Sequence, residues 1–202
     1  MKLVVMTQPT FFVEEDKILT ALFEEGMECL HLNKPGAAPI YSERLLTLLP
    51  DFSYRNIVVH EHFYLKDEYS LRGIHIDGDD ASALPDGYRG HLSRTCSSVD
   101  SLREAKRKSE YVFLKGVFCG DGGDKATCIP PDRLESASDE GLIDKKVYAF
   151  GGVCLENIKT AKELGFGGVV VCADLWRQFD IHRQPDYKQL IAHFDKLRKA
   201  AW

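Results

Sequence analysis

Two short apolar runs, at residues 147–150 and 168–171, enclose a segment whose apolar side chains recur at helical spacing. The first run is followed by Gly151-Gly152, and the second is rich in Val, which favours a β-strand. The segment between them stops at Gly165, where a helix C-terminal cap is expected, and its apolar positions are Leu155, Ile158, Ala161 and Leu164. This pattern predicts a strand–helix–strand unit in which both strands are buried and parallel.

The same alternation of strand-like and helix-like segments runs along the whole chain. Six further strands are predicted at residues 2–7, 29–33, 56–60, 73–76, 90–93 and 110–117. Helical segments are predicted at residues 14–26, 41–49, 65–71, 98–108, 134–143 and 187–199. This order is typical of the α/β class and favours a closed (β/α)8 TIM barrel of the short kind, with residues 1–202 as a single domain. The alternative is an open doubly wound sheet, which usually has about five or six strands.

Composition and charge narrow the class of protein further. The 202 residues are 44% hydrophobic and 28% charged, which suits a globular domain with a substantial core. The net charge is −5 and no basic run occurs, so we expect no nucleic-acid partner. No run of about 18 apolar residues occurs, so we expect no membrane span. We expect a cytoplasmic protein, because residues 1–6 have the pattern of a strand and lack the long apolar region of a signal peptide.

Polar side chains follow most of the predicted strands. In (β/α)8 barrels the active site lies at the C-terminal ends of the strands, and the loops after the seventh and eighth strands often bind a phosphate. Gly151-Gly152 lies in the first of these loops, where backbone N–H groups without a neighbouring Cβ can approach an anion closely. The other strand ends supply His31, Asn33, His60, Glu61, His62, His75, Ser93, Thr95, Cys172 and Ala173.

Two carboxylates are candidate metal ligands. Glu61 and Asp80 follow adjacent predicted strands, and their oxygens suit Mg²⁺, which often accompanies diphosphate substrates. An alternative is a zinc site at His60 and His62, because two residues at this spacing on a strand share one face. Lys125 lies in a loop rich in Gly and Asp after the sixth strand, and we expect it to contact a phosphate when this loop closes.

The succession of motifs along the chain resembles the thiamin phosphate synthase and thiazole tautomerase family. Each motif is moderately specific, and their order covers nearly the whole chain. The motifs are residues 29–34, 73–76 with Asp80, 92–95 with 101–105, 111–118, 148–153 with Asn157, and 168–173. The resemblance implies a (β/α)8 barrel. Synthases of this family join an aminopyrimidine methyl diphosphate to a thiazole phosphate with Mg²⁺ and release pyrophosphate, so the implied partners are phosphorylated small molecules.

The resemblance also implies roles for individual positions. The two glycines after the seventh strand and the start of the segment after the eighth match the thiazole-phosphate site. The acidic pair matches the Mg²⁺ ligands, with a Glu where the family carries an Asp. The predicted site therefore comprises the catalytic residues Lys125, Ser93 and His31, the substrate-binding residues Gly151, Gly152, Cys172, Ala173, Asn33, Thr95 and His60, and the metal ligands Glu61 and Asp80.

Three motifs depart from the family pattern. In the loop after the sixth strand, the usual Gly-Pro and Thr-rich sequence is replaced by Lys115-Gly116 and a loop rich in Gly and Asp. The synthase sequence Gln-Leu-Arg-Glu-Lys is replaced here by residues 31–35, His-Leu-Asn-Lys-Pro, so that His31 stands in the place of a Gln that reads the pyrimidine. The synthase sequence Asn-Asp-Arg is replaced by His60-Glu61-His62. The half of the site that would hold the pyrimidine diphosphate therefore differs in sequence from the family, whereas the half that would hold the thiazole phosphate keeps the family sequence.

We expect a Mg²⁺-dependent synthase and keep two alternatives open. The first alternative is a metal-free isomerase of the thiazole phosphate. The catalytic His of the tautomerases falls at Thr95, so such an enzyme would need His31, His60 or His75 as its acid or base. The second alternative is a phosphate-binding barrel with weakened catalysis. The sequence is compatible with a homodimer and leaves the oligomeric state open.

Overall fold

Eight short strands pair side by side until the last meets the first. The structure is a computed structural model that describes residues 1–78, 84–118, 128–180 and 186–202. The strands are β1 (Lys2–Met6), β2 (Leu30–Leu32), β3 (Ile57–Val59), β4 (Gly73–Asp77), β5 (His91–Cys96), β6 (Tyr111–Lys115), β7 (Val147–Phe150) and β8 (Gly168–Val171). The helices are α1 (Glu15–Glu24), α2 (Pro39–Leu48), α3 (Leu65–Glu68), α4 (Leu102–Lys108), α5 (Pro131–Asp139), α6 (Ile158–Glu163), α7 (Ala173–Trp176) and α8 (Lys188–Ala201).

Every neighbouring pair of strands is parallel, and the sheet closes on itself. β1 pairs with β8 from Lys2 opposite Gly168 to Val5 opposite Val171, and on its other edge Val5 lies opposite Leu30 of β2. The predicted (β/α)8 TIM barrel is therefore confirmed, and the alternative of an open sheet is wrong.

Some element boundaries differ from the prediction. α6 begins at Ile158, whereas the apolar spacing placed Leu155 within the helix. The Asn157 side chain explains the later start, because its Oδ1 accepts a hydrogen bond of 3.0 Å from the N–H of Cys154 and holds residues 154–157 as a turn. β5 was predicted to open at residues 90–93, and it runs from His91 to Cys96.

The barrel has two cores because each strand is covered on both faces. One core lies between the sheet and the helices and contains most of the buried Leu, Ile and Val side chains. The other lies inside the barrel, where the apolar residues are Val4, Met6, Cys29, Val58, Tyr111, Phe113 and Val170. Alternate residues of each strand point inward, so the polar residues in the same phase enter this second core. They include His31, His75, Ser93 and Thr95.

The two termini meet on the outside of the barrel. The N-terminal ammonium of Met1 donates a hydrogen bond of 2.8 Å to the carbonyl of Ala201, at the end of α8. α8 buries Leu190, Phe194 and Leu197 on one face. No helix among the described residues is both long enough and apolar enough to cross a membrane.

A buried ion pair fixes the segment between β1 and α1. The Nζ of Lys34 lies 2.6 Å from Oε1 of Glu15 and 2.9 Å from the carbonyl of Thr10, and it lies 4.5 Å from the centre of the Phe11 ring. Both charged side chains are at most 2% exposed. Burial raises the pKa of the Glu15 carboxyl to about 7 although Lys34 opposes the shift, and burial lowers the pKa of Lys34. The Lys34 ammonium is thus held by Glu15 and the Thr10 carbonyl.

We predict that Lys34→Met strongly destabilises the protein. The substitution leaves the Glu15 carboxylate buried without its cation, and removing one partner of a buried pair typically costs about 3–5 kcal/mol. Urea denaturation followed by circular dichroism measures the free energy of unfolding. The control is the double variant Glu15→Leu/Lys34→Met, which removes both charges and should recover most of the loss. A single variant as stable as the wild type would contradict this role for the ion pair.

Candidate active site

The loop after β7 is shaped by two glycines in the left-handed region. Gly151 has a φ of +96° and Gly152 a φ of +65°. A Cβ on Gly151 would lie 3.0 Å from the backbone nitrogen of Gly116, so a larger residue would displace the neighbouring loop. The Asn157 Nδ2 donates a hydrogen bond of 2.8 Å to the carbonyl of Gly152, and Gly151 accepts one of 3.0 Å from the N–H of Phe118. The turn is therefore held on both sides.

The loop after β8 lies beside this turn. Phe150 of β7 is opposite Val170 of β8, so the residues that follow the two strands emerge next to each other. α7 begins at Ala173, directly after Cys172, and its first N–H groups have no acceptor within the helix. The Trp176 indole anchors α7 by donating a hydrogen bond of 2.7 Å to the carbonyl of Met6. The two backbone segments are thus neighbours at the barrel mouth, and glycine turns of this kind allow an anion to approach the backbone closely.

Three histidines lie in contact inside the opposite half of the barrel. His31 of β2 and His75 of β4 are fully buried, and His60, directly after β3, is 7% exposed. The His60 and His75 rings stack with centroids 4.2 Å apart, and His31 lies edge-on to both at 5.1 Å. The interior of a (β/α)8 barrel is usually filled by Val, Ile and Leu, so this cluster is a departure from a structural core.

A chain of hydrogen bonds crosses the barrel through this cluster. The chain begins at the barrel mouth, which is the end where the C-termini of the strands lie. There Asp77 Oδ2 lies 3.1 Å from His60 Nδ1, and further inside His60 Nε2 lies 2.9 Å from His31 Nδ1. His31 Nε2 lies 2.8 Å from the hydroxyl of Tyr111, which in turn lies 3.8 Å from the Cys29 sulfur. We refer to this set as the Asp77–Tyr111 chain.

The donor and acceptor roles in the Asp77–Tyr111 chain follow from its outer end. An ionised carboxylate can only accept, so His60 donates from Nδ1. With one proton on each imidazole, His60 Nε2 then accepts from Nδ1–H of His31, and His31 Nε2 accepts from the hydroxyl of Tyr111. Each proton is therefore donated in the direction of the barrel mouth.

His75 has its own partners beside this chain. Its Nδ1 lies 2.8 Å from Oγ of Ser93 and its Nε2 lies 2.7 Å from Oγ1 of Thr95, both on β5. Nε2 is also 3.6 Å from Oδ1 of Asp77. All of the ring nitrogens in the cluster therefore have polar neighbours, as buried imidazoles require.

Burial sets the charge state of the cluster. It lowers the pKa of His31 well below the usual value, and repulsion from His75 and His60 adds to the effect. Burial together with repulsion from His60 lowers the pKa of His75 to about 3, although Asp77 opposes the shift. Burial raises the pKa of Asp77, but hydrogen bonding and attraction from His60 and His75 outweigh it, and the pKa falls well below its usual value. At neutral pH the Asp77 carboxylate is thus ionised beside uncharged His31 and His75.

The cluster is better suited to hydrogen bonding than to a metal ion. Nitrogen atoms of the three histidines do lie within 4.8 Å of one another. However, the lone pair of an imidazole lies in the plane of its ring, and the His60 and His75 planes differ by only 22° in a stack. Two stacked rings direct their lone pairs side by side and not toward a common ion, whereas tetrahedral zinc needs convergent ligands.

The site residues predicted from the sequence lie in different parts of the structure. Gly151, Gly152, Cys172 and Ala173 come together at the mouth beside β7 and β8. Asn33 lies at the end of β2, where its backbone exchanges two hydrogen bonds of 3.0 Å with the Thr7 hydroxyl. Asp80 and Lys125 lie outside the described residues.

Other predicted residues are engaged with protein groups. His31, Ser93 and Thr95 are buried in the histidine network. Glu61 Oε2 accepts a hydrogen bond of 3.2 Å from the backbone N–H of Lys34. His62 adopts a φ of +54° and its Nε2 lies 2.9 Å from the Ala37 carbonyl. His60 and His62 therefore serve different partners, because β3 ends at Val59 and the strand alternation does not extend to them.

Two residues of the network were not included in the predicted site. Asp77 is in phase with His75 on β4, and Tyr111 is in phase with Phe113 on β6. Strand alternation was the signal that could have placed both inside the barrel. Only the closed structure brings them to opposite ends of one hydrogen-bonded chain.

A closed parallel barrel with polar groups gathered at the C-terminal ends of its strands is the architecture of the (β/α)8 enzymes. A thiamine phosphate pyrophosphorylase from Bacteroides thetaiotaomicron has 47% sequence identity over 100% of this chain and 98% of its own, with a TM-score of 0.88. The chain therefore belongs to the thiamine phosphate pyrophosphorylase family.

More distant structures share the fold alone. A thiamine phosphate pyrophosphorylase from Pyrococcus furiosus is 16% identical, covering 99% of this chain and 95% of its own, with a TM-score of 0.76. A phosphoribosyl anthranilate isomerase from Thermus thermophilus is also 16% identical, covering 98% and 99% of the two chains, with a TM-score of 0.62. No family model and no curated protein matches the chain.

We predict that acid destabilises the protein through His75. Its pKa falls from 6.5 in the unfolded chain to about 3 in the folded protein, so between these values only the unfolded chain binds the proton. The free energy of unfolding should therefore fall as the pH drops from 6.5 toward 3, and His75→Gln should make the fall less steep. Urea denaturation at several pH values measures the slope.

The control for this measurement is His62→Asn. His62 lies outside the barrel interior, and Asn tolerates its positive φ. This variant should retain the wild-type dependence on pH. A His75→Gln variant with the full wild-type slope would contradict the proposed contribution of the buried imidazole.

Proposed function

We propose that the protein is a thiamin phosphate synthase-like transferase that joins an aminopyrimidine methyl diphosphate to a thiazole phosphate and releases pyrophosphate. The observation that carries this proposal is the pair of adjacent backbone loops after β7 and β8, on a chain that belongs to the thiamine phosphate pyrophosphorylase family. The family resemblance assigns the thiazole phosphate to these loops. The positive φ values of Gly151 and Gly152 support this assignment, because glycines without a Cβ let an anion approach the backbone closely.

In the proposed reaction the thiazole nitrogen attacks the methylene carbon of the pyrimidine diphosphate. A C–N bond forms, the C–O bond to the diphosphate breaks, and its electron pair leaves with pyrophosphate. Binding the thiazole phosphate at Gly151, Gly152, Cys172 and Ala173 would place the ring over the barrel mouth. Holding both reactants in a defined orientation is a major source of rate enhancement in such a displacement.

The carboxylates at the mouth suit a hard cation. Glu61 accepts a hydrogen bond from the Lys34 backbone through Oε2, and in this proposal its carboxylate is one ligand and Asp80 is the second. Mg²⁺ held there would neutralise the negative charge that develops on the leaving diphosphate. Lys125 is proposed to contact the same group. Ser93 is fully buried and bonded to His75, so its contribution is to orient that imidazole.

A specific observation favours a second candidate, isomerisation of the thiazole phosphate without a metal. The histidines bond to an exposed carboxylate at the mouth, Asp77, and a carboxylate backed by imidazoles can exchange a proton with a ligand. Isomerisation needs one proton removed and another returned, with no leaving group. The same barrel without turnover would be a phosphate-binding protein.

The deciding experiment is incubation of the purified protein with both substrates. We expect thiamin phosphate and pyrophosphate to form in the presence of Mg²⁺, and we expect EDTA to abolish product formation. Liquid chromatography with mass spectrometry detects both products. Omission of each substrate in turn is the control.

The other outcomes assign the alternatives. No thiamin phosphate, together with a change in the ultraviolet spectrum of the thiazole phosphate that EDTA does not affect, would indicate the isomerase. Binding of the thiazole phosphate without any conversion would indicate the phosphate-binding protein. Product formation at the full rate in EDTA would contradict the metal assignment.

We predict that Gly152→Asp abolishes binding of the thiazole phosphate. The carboxylate would occupy the proposed anion site and repel the phosphate. The matched control is Gly152→Asn, which has nearly the same shape, tolerates the φ of +65° and carries no charge. Isothermal titration calorimetry should show a much larger loss for Asp than for Asn. Equal affinity of both variants and the wild type would remove the phosphate assignment.

A further inference from the structure

Asp77 ends the hydrogen-bonded chain at the barrel mouth. Its side chain is 60% exposed, whereas the side chain of His60, which bonds to it, is 1% exposed. The carboxylate therefore has one side in contact with the buried imidazoles and another open to a ligand. A carboxylate has two oxygens and about four acceptor positions, of which His60 uses one and His75 approaches a second.

His31 has no hydrogen-bonding capacity left for a ligand. It stands where the synthases carry a Gln that reads the pyrimidine, but both of its ring nitrogens are engaged, at 2.9 Å by His60 and at 2.8 Å by Tyr111. A histidine ring offers only two polar atoms. A polar substrate edge on this side of the barrel must therefore be read by another group.

We propose that Asp77 is the specificity-determining residue for the second substrate and that it accepts a hydrogen bond from the amino N–H of an aminopyrimidine. This inference rests on the proposed function, since it assigns the pyrimidine-reading role within that site. The Asp77–Tyr111 chain holds Oδ2 in place from the barrel interior, so the acceptor is oriented before the ligand arrives.

The chemistry of Asp77 selects the class of ligand. An ionised carboxylate accepts hydrogen bonds and cannot donate them, so it favours a ring with N–H donors and disfavours one with a carbonyl oxygen at the same place. His60 and His31 both replace residues of the family pattern, and they bond directly to each other and onward to Asp77. The two histidines that differ from the family pattern thus both belong to the hydrogen-bonded chain that ends at the Asp77 carboxylate.

The test is Asp77→Asn in the full chain. The Asn oxygen can still accept from His60, but its amide group then presents N–H donors to the mouth and repels an amino group. The probe is the aminopyrimidine methanol, the substrate without its diphosphate, measured by isothermal titration calorimetry in the absence of Mg²⁺. We expect the Kd to rise about 10- to 100-fold, the usual effect of losing a hydrogen bond to a charged group.

Two comparisons isolate this contact. The wild type should bind the analogue that lacks the amino group as weakly as Asp77→Asn binds the aminopyrimidine, and this measurement does not depend on the folding of a variant. The matched control is Glu110→Gln. Glu110 is 61% exposed and lies 2.7 Å from Nδ1 of His91, so it forms an equivalent carboxylate–histidine pair at the other end of the barrel. Glu110→Gln should leave the affinity unchanged.

Several results would overturn the inference. One is that the wild type fails to bind the aminopyrimidine. Another is that the wild type binds the analogue without the amino group as tightly as the aminopyrimidine. The third is that the Kd of Asp77→Asn for the aminopyrimidine lies within about twofold of the wild-type value. Loss of Mg²⁺ binding with intact aminopyrimidine affinity would assign Asp77 to the metal instead. If no thiamin phosphate forms but amino-dependent binding disappears in Asp77→Asn, the proposed reaction is contradicted and the contact between Asp77 and the amino group is supported.

Discussion

The hydrogen bonding of three buried imidazoles is the constraint on which the site depends. Inside a closed barrel these rings have no access to bulk water, and an unpaired polar atom there is costly. The structure meets this need with partners from three strands: Tyr111 of β6 and the Ser93 and Thr95 hydroxyls of β5 supply donors and acceptors, and Asp77 of β4 ends the chain at the mouth. Because every ring nitrogen is committed, the orientation of each ring follows from its neighbours.

This constraint links the residues that depart from the family pattern. His31 and His60 lie 29 positions apart in the chain but share a hydrogen bond of 2.9 Å. A His at only one of these positions would leave a buried nitrogen without its partner. Each replacement therefore supplies the hydrogen-bond partner that the other one needs. The opposite half of the mouth, beside β7 and β8, is built from backbone turns and does not depend on these side chains. One half of the site can therefore change while the other is retained.

The candidate site was predicted from the sequence in part. The position of the glycine turn and of the segment at Cys172 followed from the strand pattern, because the loops of a parallel barrel all emerge at the same end. The strand pattern could not predict the hydrogen bond between His31 and Tyr111 or the burial of Lys34 against Glu15. Both depend on contacts between residues that are distant in the sequence. Lys34 illustrates the difference: its ammonium is bound by Glu15, which lies 19 residues earlier in the chain.

The sequence by itself determined the class of fold and the order of its elements. Apolar periodicity, glycines and prolines act over a few residues, so strands and helices could be located to within a few positions, with errors such as the start of α6. The tertiary structure decided which inward-facing side chains meet. Closure of the sheet brings β2, β3, β4 and β6 around one interior, and only there do Asp77 and Tyr111 become the two ends of a continuous chain of hydrogen bonds. Strand pairing over long sequence separations, and not local preference, creates that network.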